Sequence, residues 1–193
     1  MTKIVGITGG IGSGKSTLIE YVKNLGYSVY IADFEAKNLM NQKEIINKIQ
    51  FLFDTSVLTK DKLLDRKKLS QLVFNNPENL AKLNGLIHPL VKQHFTDWVL
   101  NTNEKIVFKE AAILFESGSY KDCDYTILIT APQNIRVQRV MQRDGVSEQE
   151  VLERIKNQWS DEEKAKLADF TIQNIDLEIA KKQITEVINR INK

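Results

Sequence analysis

From Gly9 to Ser16 the chain reads Gly9-Gly10-Ile11-Gly12-Ser13-Gly14-Lys15-Ser16, with Thr17 next, which satisfies G-x-x-x-x-G-K-[ST]. Each residue type in that pattern suits a polyphosphate. Glycines let successive backbone N–H groups turn inward around phosphate oxygens, and a helix N-terminus behind them adds the positive end of its dipole. Lys15 is long enough to reach β- and γ-phosphates, and the Ser16 hydroxyl is of the kind that ligates Mg2+ in such loops. Six of the nine glycines fall within the first 26 residues, so one special backbone site is marked near the start of the chain. A glycine-rich turn without a ligand is the plain alternative. The apolar run before the loop and the helical pattern after it argue for the ligand.

Other candidate groups are more ambiguous. Asp33 follows a second apolar run (Ser28 to Ile31) and is expected to end that strand on the same sheet edge as the loop. A carboxylate there can take the proton of an attacking hydroxyl, or it can simply cap the next helix. Of six arginines, Arg136, Arg139, Arg143 and Arg154 lie close together, and the first three recur at i, i+3, i+7 on one helix face. Guanidinium forks suit phosphate, so the cluster reads as a charge-stabilising lid; a solvated face paired with Asp144, Glu150 and Glu153 is the alternative. His88 precedes Pro89, which biases it out of the helical region and predicts a helix break there. A structural histidine is the ordinary reading of it. Glu116 follows an apolar run and either faces a cleft or solvates a loop.

These groups need a scaffold, and the pattern predicts one. Lys3–Thr8 is a continuous apolar run of the kind found in buried parallel strands, and Lys15–Leu25 follows with helical spacing closed by Gly26. Later apolar runs at Lys105–Phe108, Tyr125–Ile129 and Phe170–Ile172 alternate with helices, which implies α/β architecture with a parallel sheet covered on both faces. Between about 34 and 103 only helical pattern appears (Lys43–Phe53, Arg66–Phe74, Pro77–Ile87, Pro89–Leu100), too long for a simple crossover and therefore a helical insert. Pro132 suits a first helical residue, and Ser147-x-x-Glu150 and Ser160-x-x-Glu163 are capping boxes of a small flap over about 136–167. The core is then about 1–33, 104–135 and 168–193.

Composition excludes several classes. A hydrophobic share of 42% with 27% charge supports a packed core, and a net charge of +2 gives no electrostatic case for nucleic acid or a membrane surface. One cysteine, Cys123, excludes an internal disulfide, and with His88 and His94 cannot complete a zinc site. No secretory leader or membrane-length apolar run is evident. The expectation is a soluble cytoplasmic protein acting on a small molecule, with no obligate protein partner evident. The guanine motif N-K-x-D, D-x-x-G and L-S-G-G-Q are absent, and the later strands lack the terminal Asp of a magnesium-binding Walker B strand. That favours a small-molecule kinase over a switch or motor.

Several strings together carry a family likeness: T-G-G-I-G-S-G-K-S-T (Thr8–Thr17), A-D-x-x-A (Ala32–Ala36), L-N-x-x-x-H-P (Leu83–Pro89), L-F-E (Leu114–Glu116), R-D-G (Arg143–Gly145), R-I-x-x-Q (Arg154–Gln158), and K-x-x-x-A-D (Lys164–Asp169) followed by Asn174. Over nearly its whole length the chain resembles the dephospho-coenzyme A kinases, which use ATP and Mg2+ to phosphorylate the 3′-hydroxyl of dephospho-CoA. The resemblance implies a P-loop kinase core in three α/β/α layers, a CoA-binding helical insert and a lid. It implies that Asp33 is the base, that Lys15 and Arg143 share the catalytic work, that Arg139 and Asn174 join the loop in holding ATP, Asn174 near the adenine, and that Lys37, Asn84, His88 and Glu116 lie on the substrate side. Ile31 and Lys37 stand where the family usually has Asp and Arg, and Ala112 where it usually has Pro. The expected reaction yields coenzyme A and ADP; a nucleoside or nucleotide kinase with another acceptor is the alternative within enzymes, and an ATP-sensing regulator is the alternative outside them.

Overall fold

A computed structural model describes residues 2–74 and 76–193. In chain order the elements are β1 (Lys3–Thr8), α1 (Lys15–Asn24), β2 (Val29–Ile31), α2 (Ala32–Met40), α3 (Lys43–Phe51), α4 (Arg66–Phe74) and α5 (Pro77–Leu100). They continue with β3 (Ile106–Glu110), β4 (Tyr125–Thr130), α6 (Gln133–Asp144), α7 (Glu148–Lys156), α8 (Asp161–Ala165), β5 (Phe170–Gln173) and α9 (Leu177–Ile191). Two compact units result, one from residues 2–31 with Asn103–Lys193 and one from Ala32–Thr102.

The first unit is built on a five-stranded sheet, all parallel, in the order β2-β3-β1-β4-β5. The architecture is α/β, as expected. Strand β1 lies in the middle because its residues are apolar on both faces, and Val5 and Ile7 are wholly buried. With Ile106 and Phe108 of β3 and Ile127 and Ile129 of β4, they pack against Leu18, Ile19 and Val22 of α1 and Ala180, Ile184 and Ile188 of α9. Each such side chain contributes roughly 1.5–3 kcal/mol on burial. The strand order reverses direction between β1 and β3, so the crevice at their carboxyl ends is the switch point where open α/β sheets take ligands. Ile7 stands opposite Glu110 there.

The second unit is helical, apart from an isolated bridge between Leu58 and Leu64. Ile45, Ile49, Phe53, Val57, Leu69, Leu83 and Ile87 form its core. The expected break at His88 does not occur: α5 runs unbroken through Pro89. A proline there loses the N–H that would bond the Gly85 carbonyl, at a cost of about 3 kcal/mol. Leu83 and Ile87 before it, and Leu90 and Val91 after it, all pack on the same core, so burial on both sides outweighs that loss.

Smaller differences follow from local chemistry. Asp33 does not end a strand; β2 stops at Ile31 and α2, which the pattern did not reveal, begins at Ala32. Pro132 is the N-cap of α6 rather than its first residue. Leu25 is the C-cap of α1, and Gly26 follows it in the left-handed conformation. Both capping boxes form, Ser147 with Glu150 and Ser160 with Glu163. No helix among the described residues is long and apolar enough to cross a membrane.

Candidate active site

The loop Gly9–Gly14 joins β1 to α1 at the carboxyl end of the sheet. Gly14 caps α1 in the left-handed conformation and supplies no side-chain cap, which leaves the first turn of a ten-residue helix open to an anion. Lys15 and Ser16 begin that helix, and Ser16 and Thr17 are exposed. Ser13 is buried, and its N–H donates to the Gly10 carbonyl at 3.1 Å, which tightens the turn.

Lys15 forms an ion pair with Glu110, a residue for which sequence reasoning found no role. Glu110 is the last residue of β3 and is buried. Strand β3 runs two residues beyond the expected Phe108, which brings the carboxylate level with the loop. Its signal in the sequence is an acidic residue just past an apolar run, a Glu where a magnesium-binding strand would end in Asp. A buried carboxylate needs such a partner, because desolvation penalises an isolated charge.

The residues around the loop brace its backbone. Asn174 is buried; its side-chain NH2 donates to the Ser13 carbonyl at 2.8 Å, and its own N–H donates to the Thr130 carbonyl at 2.7 Å. Arg139 donates to the carbonyls of Asn174 at 2.9 Å, Ile175 at 3.4 Å and Ser13 at 3.5 Å. Arg136 is buried and donates to the Ile11 carbonyl at 2.9 Å and to Asp161 at 3.2 Å. Burial pushes the Asp161 carboxyl above the usual range, and the Arg136 guanidinium opposes that. Gln158 accepts from the Ile11 N–H at 2.9 Å. Only as part of a longer string had Gln158 been visible in the sequence.

The three arginines of α6 therefore do different things despite their spacing. Arg136 and Arg139 turn to backbone carbonyls, whereas Arg143 is exposed and grips Asp144 through two N–H groups at 2.7 and 3.0 Å. Arg154 donates to the same carboxylate at 2.9 Å. Asp144 holds the Arg143 guanidinium above its already high pKa, and Arg143 in turn holds the Asp144 carboxyl below its usual value.

Glu116 is paired with Lys164, which the sequence had shown only within a motif. The two lie 2.9 Å apart, close enough for an ion pair but not aligned as a hydrogen bond, and the Lys164 side chain has 0% exposure. Asp169, from the same motif, accepts from the N–H and hydroxyl of Thr126, both at 2.8 Å, and so fastens the start of β5 to β4.

Four candidates lie in the helical unit. Asp33 is exposed in the first turn of α2, two positions beyond the end of β2, and Lys37 lies one turn further on, where its carbonyl accepts from Arg66 at 3.1 Å. Asn84 and His88 are one turn apart on the unbroken α5, Asn84 half-buried and His88 exposed. Among the described residues no cluster of three or more His, Cys, Asp or Glu side chains is placed to hold a metal ion.

Comparison with known proteins identifies the family and the fold. Residues 3–179 match the family model described as dephospho-CoA kinase. A dephospho-CoA kinase of Fusobacterium nucleatum is 38% identical over 171 residues, covering 89% of each chain, and one of Chlorobium chlorochromatii is 40% identical over 179 residues, covering 89% of this chain and 84% of its own. Among solved structures, dephospho-CoA kinase from Campylobacter jejuni superposes with a TM-score of 0.73 at 32% identity, over 99% of this chain and 98% of its own. A Thermus thermophilus protein reaches a TM-score of 0.91 at 34% identity, over 100% and 98%. Shikimate kinase from Bacteroides thetaiotaomicron, at 13% identity, a TM-score of 0.56 and 100% coverage of both chains, shares the fold. With its phosphate loop, its Lys15–Glu110 pair and a match along nearly its whole length, the chain belongs to the dephospho-CoA kinase family.

Proposed function

We propose that the chain transfers the γ-phosphate of ATP to the 3′-hydroxyl of dephospho-CoA, giving coenzyme A and ADP, the last step of coenzyme A biosynthesis. The observation that carries this reading is a complete phosphate loop at the carboxyl end of β1, in a member of the dephospho-CoA kinase family. In the proposal, the loop from Gly9 to Thr17 and the open end of α1 hold the ATP phosphates. Lys15 balances their charge, moving from Glu110 to the β- and γ-oxygens. Asp33 orients the acceptor hydroxyl and takes its proton, with Lys37, Asn84, His88 and Glu116 on the acceptor side. Arg143 exchanges Asp144 for the transferring phosphoryl group, and Arg139 and Asn174 support the nucleotide end of the site. The reaction takes place in the cytoplasm, where one partly buried free thiol, Cys123, is at home.

The residues also fit Mg2+. That ion prefers oxygen ligands and is usually bound through one or two carboxylates together with substrate phosphates and water. Ser16 and Glu110 offer a hydroxyl and a carboxylate beside Lys15, which is the donor chemistry required. When bound, the ion neutralises charge building on the transferring phosphoryl group.

The deciding experiment offers ATP with a panel of acceptors and follows the products by 31P NMR. A new 3′-phosphomonoester on dephospho-CoA, with multiple turnovers, is the expected result. Turnover with another nucleoside or nucleotide but none with dephospho-CoA overturns the proposed acceptor, and tight ATP binding without turnover on any acceptor overturns transfer itself.

A further inference from the structure

Ile11 is an odd residue to find in a phosphate loop, being the one large apolar side chain among glycines and serine. Its surroundings explain it. The side chain packs against a small cluster formed by Val137 and Val140 of α6 and Val151 of α7, with Ile155 alongside. Its N–H donates to Gln158 and its carbonyl accepts from Arg136, both at 2.9 Å. Side chain, donor and acceptor of this one residue are thus all committed to α6 and to the segment between α7 and α8. The glycines on either side make that possible. A Cβ at Gly10 would lie 2.4 Å from a guanidinium nitrogen of Arg136, and one at Gly12 would lie 2.4 Å from the Arg136 carbonyl oxygen. Gly12 is thus required by the approach of the α6 backbone as well as by any phosphate, and a side chain at Gly10 would push the Arg136 guanidinium off its grip.

We infer that Ile11 is the handle by which α6–α8 hold the phosphate loop in shape, with Gln158 and Arg136 as positioning residues for phosphoryl transfer. The inference rests on the reading that this loop holds the ATP phosphates. Gln158 touches no reacting atom; it acts by fixing the peptide of residue 11. Asp161, bonded to Arg136, fixes the other half of the grip. Linkage makes the coupling reciprocal: if the grip favours the nucleotide-binding shape of the loop, bound nucleotide must tighten the grip by the same factor.

The test uses the full chain. Hydrogen exchange of peptides spanning 147–165 is measured with and without saturating ATP and Mg2+, alongside steady-state kinetics. In the wild type, nucleotide slows exchange in α7 and α8. In Gln158→Ala the slowing disappears although nucleotide still binds, and kcat falls about tenfold, the scale expected when a partly buried N–H loses its partner, while KM for dephospho-CoA stays within about threefold. Gln158→Glu, which keeps an acceptor oxygen, retains the protection. Arg136→Lys, which replaces the two separate nitrogens serving Ile11 and Asp161 by a single ammonium, weakens it, and combining it with Gln158→Ala costs little beyond the worse single change, because both act through one peptide. Wild-type protection and wild-type kcat in Gln158→Ala overturn the inference. Lys15→Ala separates the two readings: if it abolishes ATP binding while Gln158→Ala changes nothing, only the grip is wrong, and if it leaves ATP binding intact, the loop reading fails and the grip falls with it.

Discussion

Replacing Lys164 by Met probes a deeply placed ion pair of the sheet-bearing unit. Lys164 has no exposed surface, its Nζ lies 2.9 Å from Glu116, and Glu116 itself is 15% exposed. Lys164 also lies near enough to Asp161 to favour that carboxylate. Methionine keeps most of the volume and leaves Glu116 buried without its cation. Breaking a buried pair by removing one partner costs about 3–5 kcal/mol, mostly the penalty for the stranded charge. For a chain of this size each kcal/mol lowers Tm by about 2–4 °C, so the expected fall is about 6–20 °C. The assay is thermal denaturation of wild type, Lys164→Met, Glu116→Gln and the double variant. The double variant recovers most of the loss. A single variant within about 1 kcal/mol of wild type, or a double variant no more stable than Lys164→Met, refutes the assignment of this pair as a buried electrostatic tie.

Three further predictions are independent of that one. Gly12→Ala combines a left-handed φ of 79° with a Cβ 2.4 Å from backbone, whereas Gly26→Ala, at φ 92°, meets nothing within 4 Å. Gly26→Ala is expected to cost about 1–2 kcal/mol of stability with activity kept, and Gly12→Ala more than that with activity lost, as read by urea titration and coupled ADP release. Burial pushes the Cys123 thiol up to about 11 from 9.0, so a thiol reagent at pH 8 should label the folded chain about 100-fold more slowly than an unfolded one. Arg143→Ala should lower kcat at least as far as Asp33→Asn while leaving Tm almost unchanged, because its partner Asp144 sits in an exposed cluster; near-wild-type turnover removes Arg143 from the site.

Much of the architecture was legible because it depends on short-range pattern. A continuous apolar run gave β1, and the two Ser-x-x-Glu strings gave the starts of α7 and α8. Features that depend on distant partners were not. Pro89 reads as a break until the burial of Leu83 and Ile87 is known, and α2 is hidden because only Leu39 among its residues is deeply buried. The site divides in the same way. The phosphate loop is a local signature, whereas Glu110 matters only because register sets β3 beside β1, and the different tasks of Arg136, Arg139 and Arg143 follow from what each meets across the chain, not from their common spacing.

The pairing of the strands also bears on how the chain folds as it is made. Among the described residues, strand β1 pairs with β3 and β4 and strand β2 with β3 alone, so neither amino-terminal strand has a partner there until synthesis passes Ile106. The intervening segment, Ala32–Thr102, is contiguous and carries its own apolar cluster, so it can collapse first on local contacts. Its collapse shortens the effective loop that must close before β1 meets β3, and loop closure is the entropic step that slows parallel sheets. If it collapses first, the helical unit acts as a folded spacer during synthesis and limits the time for which two apolar edges wait unpaired.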